Sequence, residues 1–115
     1  MPFRDPLTSL QDILDNISRL DRFTAGMTYE NFLDDERAVY AVQYALLTIS
    51  EAAHRLGADA ETLCPGQPWG DIRGIGNHLR HGYDNINLER IWNTIQSSLP
   101  SLKDAVKNAL TRQTE

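Results

Sequence analysis

Trp69-Gly-Asp-Ile-Arg-Gly-Ile-Gly-Asn-His-Leu-Arg-His-Gly-Tyr-Asp84 holds two of the chain's three histidines, with two arginines, an asparagine and a tyrosine. No other stretch concentrates as many side chains able to move protons or hold a phosphate. If Ile72 to His81 is helical, Arg73, Asn77 and His81 recur at i, i+4 and i+8 and share one stripe. Arg80 lies beside that stripe, about 100° from His81. Ile72, Ile75 and Leu79 form a separate apolar stripe suited to a core. Gly82 suits the position just past a helix end, releasing Tyr83 and Asp84 into a loop. Gly74 and Gly76 each cost about 1 kcal/mol relative to alanine inside a helix. That cost implies close approach by another backbone or a ligand, most simply at a subunit interface.

Working outward, helical spacing continues on both sides. Asp5 followed by Pro6 reads as an N-cap with proline in the first turn, and Leu7, Leu10, Ile13, Leu14, Ile17 and Leu20 follow at helical intervals. This helix is expected to run to about Phe23 and stop near Gly26. Thr28 opens a second element, which continues through Val39, Val42, Leu46, Ile49 and Ala53 to Leu56. It is either one long helix or a short one joined to a long one, with Gly57 as its end. Asp59 to Leu63 could form one turn, and Cys64 to Pro68 is a connection. After the loop at Asn85 to Asn87, with Asn87 as N-cap, Leu88, Ile91, Trp92, Ile95 and Leu99 form a helix that Pro100 interrupts. Leu102, Ala105, Val106, Ala109 and Leu110 give a last helix. No repeat and no convincing period-2 strand appears. The expected class is all-α, an antiparallel bundle of four to six helices forming one domain over residues 1–115.

Composition narrows the functional classes. A hydrophobic share of 41% in 115 residues fits a globular domain. Net charge of −5 argues against broad electrostatic binding to nucleic acid, so any RNA contact has to be local or shared between subunits. The one cysteine, Cys64, fits a reducing, cytoplasmic setting. No apolar run reaches the roughly 20 residues of a membrane span, and the start lacks a signal-peptide core. His54 and His78 lack metal-ligand spacing, so no metal and no cofactor are expected.

Imidazole is the side chain that most readily exchanges protons near neutral pH, so His81 is a candidate general base. Its plainer role is a surface histidine near a helix end. Arg73 and Arg80 could stabilise charge on a phosphate, or could simply pair with Asp71 or Asp84. Asn77 could orient a phosphate or the imidazole. Trp69 and Trp92 read as core. Tyr29, Tyr40 and Tyr44 fall in the second helical segment, where part of each ring is expected to be packed, whereas Tyr83 follows Gly82 in a loop.

The segment Gly-Asn-His-Leu-Arg-His-Gly-Tyr-Asp, preceded by Trp-Gly-Asp-Ile and followed by Leu-Glu-Arg-Ile-Trp, resembles the HepT-like proteins of the HEPN superfamily. The resemblance covers nearly the whole chain. Leu10 to Leu20 is similar to the family's first helix, Phe32 to Arg37 to its Phe-Leu-x-Asp-x-Arg, and Leu99 to Leu102 to its Leu-Pro-x-Leu. Ile49-Ser-Glu-Ala52 is similar to Ile-Gly-Glu-Ala, with Ser50 in the glycine's place. Of the family's Arg-x4–x6-His-x-Tyr motif, His81 and Tyr83 fill the last part. The commonest arginine position, five residues before the histidine, is Gly76 here; Arg73 lies eight before, and Arg80 directly precedes it. The resemblance implies a homodimer whose motif helices face each other across a cleft. It implies a metal-independent ribonuclease toxin that cuts RNA and not DNA. It also implies a partner, an MntA-like nucleotidyltransferase antitoxin, that neutralises the toxin by adding AMP to Tyr83. The alternative, from a different class, is a non-catalytic helical module holding a nucleotide or a partner protein.

Overall fold

A computed structural model describes residues 5–81 and 86–114; the expected roles of Gly82, Tyr83 and Asp84 lie outside the described residues. Among those described, the chain is entirely helices and their connections, as the apolar spacing predicts. Helix α1 (Pro6–Phe23) is capped by Asp5, whose carboxylate accepts from the Leu7 N–H at 2.9 Å, with Pro6 in the first turn. It buries Leu10, Ile13, Ile17 and Leu20 along one face.

The second segment, left open as one helix or two, is two. Helix α2 (Tyr29–Asp34) is capped reciprocally by Thr28 and Asn31. Asp35 leaves helical geometry (φ −104°, ψ 93°) and caps the following helix α3 (Glu36–Leu56) by accepting from the Ala38 N–H at 3.0 Å. A short side-chain acceptor that serves the next helix better than it continues the last one explains the break. Helix α3 ends at Gly57 in the left-handed region (φ +54°), where a Cβ would be strained. A short α4 (Asp59–Leu63) follows, then α5 (Trp69–His81). Trp69 is buried, and its indole N–H donates to the Cys64 carbonyl at 2.9 Å, fixing where α5 begins.

Pro100 does not break the last segment in two as expected. Helix α6 (Leu88–Asn93), capped by Asn87, widens into a π turn (Thr94–Ser98) and continues as α7 (Leu99–Thr114). The Leu99 N–H bonds five residues back to the Thr94 carbonyl. A proline has no N–H to give, and its ring crowds the carbonyl four residues earlier. The wider turn placed just before Pro100 takes up that conflict without ending the helix.

Helix α3 is the spine of this antiparallel bundle: α1 packs on one side of it and α5 on the other, while α7 covers α1. Helix α2 lies over α3 and α6, where Trp92 stacks at a tilt on Phe32 (5.2 Å between centroids) and Tyr29 (6.3 Å). Among the described residues, no helix is long and apolar enough to cross a membrane.

Candidate active site

Helix α5 divides its side chains among three directions. Inward, toward α3, Gly76 is buried. Its N–H donates to Ser50 Oγ at 3.1 Å, and the Ser50 hydroxyl donates to the Arg73 carbonyl at 2.9 Å. A Cβ built at Gly76 would collide with Ser50 Oγ. The glycine therefore does serve a close approach, but the neighbour is α3 of the same chain and not a subunit across an interface. A Cβ at Gly74, by contrast, would meet nothing within 4 Å.

Arg73 also turns toward α3. Its Nε donates to the Ala53 carbonyl at 3.3 Å and one terminal nitrogen to the Gly57 carbonyl at 2.8 Å. The other pairs with Glu61 at 2.9 Å. The guanidinium thus closes the open carbonyls at the end of α3 and ties that end to α4, a use of cations at helix C-termini. The hydrogen bonds from Arg73 hold the Glu61 carboxyl below the usual carboxylate range. The expected Arg73–Asn77–His81 stripe does not stay together. Each step of four residues drifts about 40° around an α-helix, so the two ends lie about 80° apart and roughly 12 Å apart along the axis.

Outward, the exposed stripe is Gly70, Gly74, Asn77 and His81, at i, i+4, i+7 and i+11. Asn77 and His81 therefore face the same way, with two glycines behind them. Arg80 sits beside His81 and is exposed; a loose contact, 3.7 Å, links it to Glu51 on α3. Neither arginine takes Asp71, the described one of the two carboxylates expected from sequence. Glu61 and Glu51 are sequence-distant partners that only the packing of α5 on α3 brings within reach. At the end of α5, Arg80 and His81 are both exposed, with the Arg80 guanidinium turned back toward Glu51 and Gly76, and with Asn77 one turn behind His81.

Sideways, α5 presents Ile72, Ile75 and Leu79 toward α6, the π turn and α7. Only Ile72 is fully covered; Ile75 and Leu79 line a cleft. His78, read from sequence only for its lack of metal spacing, points its Nε2 into this region, buried and without a hydrogen-bond partner among the described residues. Two expectations about aromatic rings change as well. Tyr40 and Tyr44 are 67% and 72% exposed rather than packed, while Tyr29 is partly buried against Trp92. The tyrosines sit one turn apart on the solvent side of α3, where helical spacing alone cannot tell a wide apolar face from its edge. Cys64 is buried, and burial pushes its thiol up.

Comparison with known proteins adds an independent line. A family model described as "Ribonuclease HepT-like" matches residues 13–109. A Thermococcus cleftensis protein named "Probable ribonuclease HepT" is 33% identical over 94 residues, 82% of this chain and 86% of its own. A Methanocaldococcus jannaschii protein named as a "putative RNase" is 35% identical over 101 residues, covering 88% of this chain and 84% of its own. A Caldanaerobacter subterraneus protein with the same description is 29% identical over 110 residues, 96% of this chain and 98% of its own. No solved structure gave a significant match.

Proposed function

Since this chain belongs to the HepT-like ribonuclease family, we propose that it is a metal-independent RNA endonuclease whose chemistry is carried by Arg80 and His81 at the end of α5. One observation supports this choice of residues. Arg73 is fully engaged inside the chain, whereas Arg80 and His81 are consecutive exposed residues, and among the described residues Arg80 makes only the 3.7 Å contact with Glu51.

His81 removes the proton from a ribose 2′-hydroxyl. The resulting alkoxide attacks the adjacent phosphorus, the bond to the leaving 5′-oxygen breaks and that oxygen takes up a proton, leaving a 2′,3′-cyclic phosphate. Arg80 stabilises the charge that builds on the phosphoryl oxygens, and Asn77 orients the phosphate or the imidazole. DNA lacks the 2′-hydroxyl and is not cut. General-base catalysis contributes about 10²–10⁴-fold, so His81→Ala should slow RNA cleavage in EDTA by that factor. Equal cutting by the parent and the variant sinks the assignment.

The working form on this reading is a homodimer built on the outer stripe of α5. Gly70 and Gly74 remove side chains from that face, so a second α5 can approach closely and bring Asn77, Arg80 and His81 of two chains into one cleft. Doubling the local cations also answers the net charge of −5. The chain acts in the cytoplasm as the toxin of a pair, and an MntA-like nucleotidyltransferase neutralises it by adding AMP to Tyr83, two residues beyond His81. The added phosphate repels an RNA backbone. Tyr83→Phe should keep cleavage and escape neutralisation. Because Tyr40 and Tyr44 are also exposed, intact mass followed by peptide mapping is the decisive measurement; AMP on either of them removes Tyr83 from the scheme.

A further inference from the structure

The cleft between α5 and the α6–π–α7 helix is a partly enclosed feature of the described residues that the proposed chemistry leaves unused. Its volume is about 140 Å³. Its floor is apolar: Leu46 and Ile49 of α3, Ile72 and Ile75 of α5, Leu99 and Leu102 of α7. Its walls carry charge of opposite sign, with Asp71 on α5 and Arg90 on α6; neither side chain makes a hydrogen bond or ion pair among the described residues. The π turn contributes Thr94 and Ser98 to the rim, and such turns recur at functional sites. A smaller void of about 20 Å³ adjoins it, sharing Leu46, Ile75, Arg90 and Thr94 and bounded by His78, whose buried Nε2 has no partner among the described residues. A buried nitrogen left unpaired points to a missing partner, and the void has room for about one water.

We propose that this cleft holds one unpaired cytosine of the RNA strand, a site that rests on the ribonuclease reading. Size selects the ligand class. A cavity of roughly 150 Å³ accepts a single six-membered ring, so a pyrimidine fills the cleft, whereas a purine has to protrude from it. The apolar floor takes the ring faces. The two charged walls match the two edges of cytosine: the exocyclic amine donates to the Asp71 carboxylate, and the ring carbonyl accepts from Arg90. Uracil presents a second carbonyl oxygen to Asp71 and is repelled. Unpaired bases are the usual targets of sequence-specific RNA recognition, so cleavage is confined to single-stranded cytosine-containing sites.

The test is an NMR titration of the isotopically labelled full chain with cytidine 5′-monophosphate and uridine 5′-monophosphate. The cytidine nucleotide should shift resonances of Asp71, Ile75, Arg90 and Ser98 saturably, and the uridine nucleotide should bind about tenfold or more weakly, since a hydrogen bond to a charged group is at stake. Asp71→Asn should bring that ratio close to one, because an amide both donates and accepts. Ser98→Phe should block both ligands while circular dichroism shows the helices intact. A cytosine-containing single-stranded oligoribonucleotide should bind tighter than the free nucleotide, and the same sequence in a duplex weaker. Absence of saturable shifts at the cleft, equal binding of the two nucleotides by the parent, or an unchanged preference in Asp71→Asn each overturns the proposal. An oligonucleotide no tighter than the free nucleotide refutes the RNA strand as the ligand. His81→Ala should leave the titration unchanged, which separates failure of this site from failure of the ribonuclease reading.

Discussion

Gly76→Ala should cost the fold stability despite replacing a poor helix former with the best one. The added Cβ would collide with Ser50 Oγ and stand 2.7 Å from Ser50 Cβ, against about 3.5–4.0 Å for an ordinary carbon contact. Helices α3 and α5 must then part by roughly 1 Å, and overpacking of this kind costs about 1–3 kcal/mol. Parting also stretches the Gly76 N–H bond to Ser50 Oγ and the Ser50 bond to the Arg73 carbonyl, for about 1 kcal/mol. Alanine returns about 1 kcal/mol of helix propensity, leaving a net loss of about 2 kcal/mol. Ser50→Gly alone forfeits the same two bonds and some propensity, about 1.5 kcal/mol. If the two sites were independent, the double variant would lose about 3.5 kcal/mol. With the collision as the cause, Ser50→Gly makes room for the methyl, and Ser50→Gly/Gly76→Ala should lie within about 1 kcal/mol of the parent. Equilibrium urea unfolding measures all four corners of the cycle, and at this chain length 1 kcal/mol is worth roughly 4 °C in Tm. Losses that add to within about 0.5 kcal/mol refute the contact as the reason for the glycine.

Gly74→Leu should raise the monomer's stability by about 0.5–1 kcal/mol through helix propensity, yet weaken self-association; unchanged sedimentation at micromolar concentration refutes the proposed α5–α5 face. Arg73→Met should destabilise by about 2 kcal/mol through the freed Ala53 and Gly57 carbonyls, with Arg73→Lys recovering part of it in urea unfolding. Because Glu61 is held low by Arg73, its contribution is present above the ordinary glutamate range and lost as pH falls through the lowered value. The parent's acid unfolding should therefore show a step that Arg73→Met lacks. Cys64, with its thiol raised by burial, contributes stability that is complete below the ordinary thiol range and is lost as pH rises through the raised value. The native chain should also resist iodoacetamide and react only on unfolding.

Helices and most of their ends were legible because caps and glycines are local signals: Asp5, Thr28, Asn87 and Gly57 act where their chemistry predicts. The break at Asp35 and the π turn before Pro100 were not, since each depends on which of two local conflicts the tertiary packing resolves. His81 and Arg80 keep the exposure that their place at a helix end suggests. Arg73 does not, because its partners come from residues 53, 57 and 61, beyond any pattern within α5. The two departures from the family pattern, serine at 50 and glycine at 76, looked unrelated in sequence. In the fold they meet: Ser50 Oγ occupies the space a side chain at 76 would need. The cleft with Asp71 and Arg90 has no sequence signature, because its walls lie on separate helices.

Trp69, Arg73 and Gly76 fasten the first two turns of α5 to the rest of the chain, whereas among the described residues its last turn is held by the partly buried Leu79 and His78 and the loose Arg80–Glu51 contact. Mechanically α5 is a cantilever, clamped at its root and loaded at its tip. The glycine at 74, which gives no side chain to brace the span, makes it more compliant. Amide exchange should thus quicken along the helix toward Arg80 and His81, since local opening is easiest where few contacts must be broken. The proposed general base rides on the part of the helix that opens most readily. A second chain or a bound strand would then do more than add contacts at that end: it would stiffen the tip and set the distance between base and phosphate.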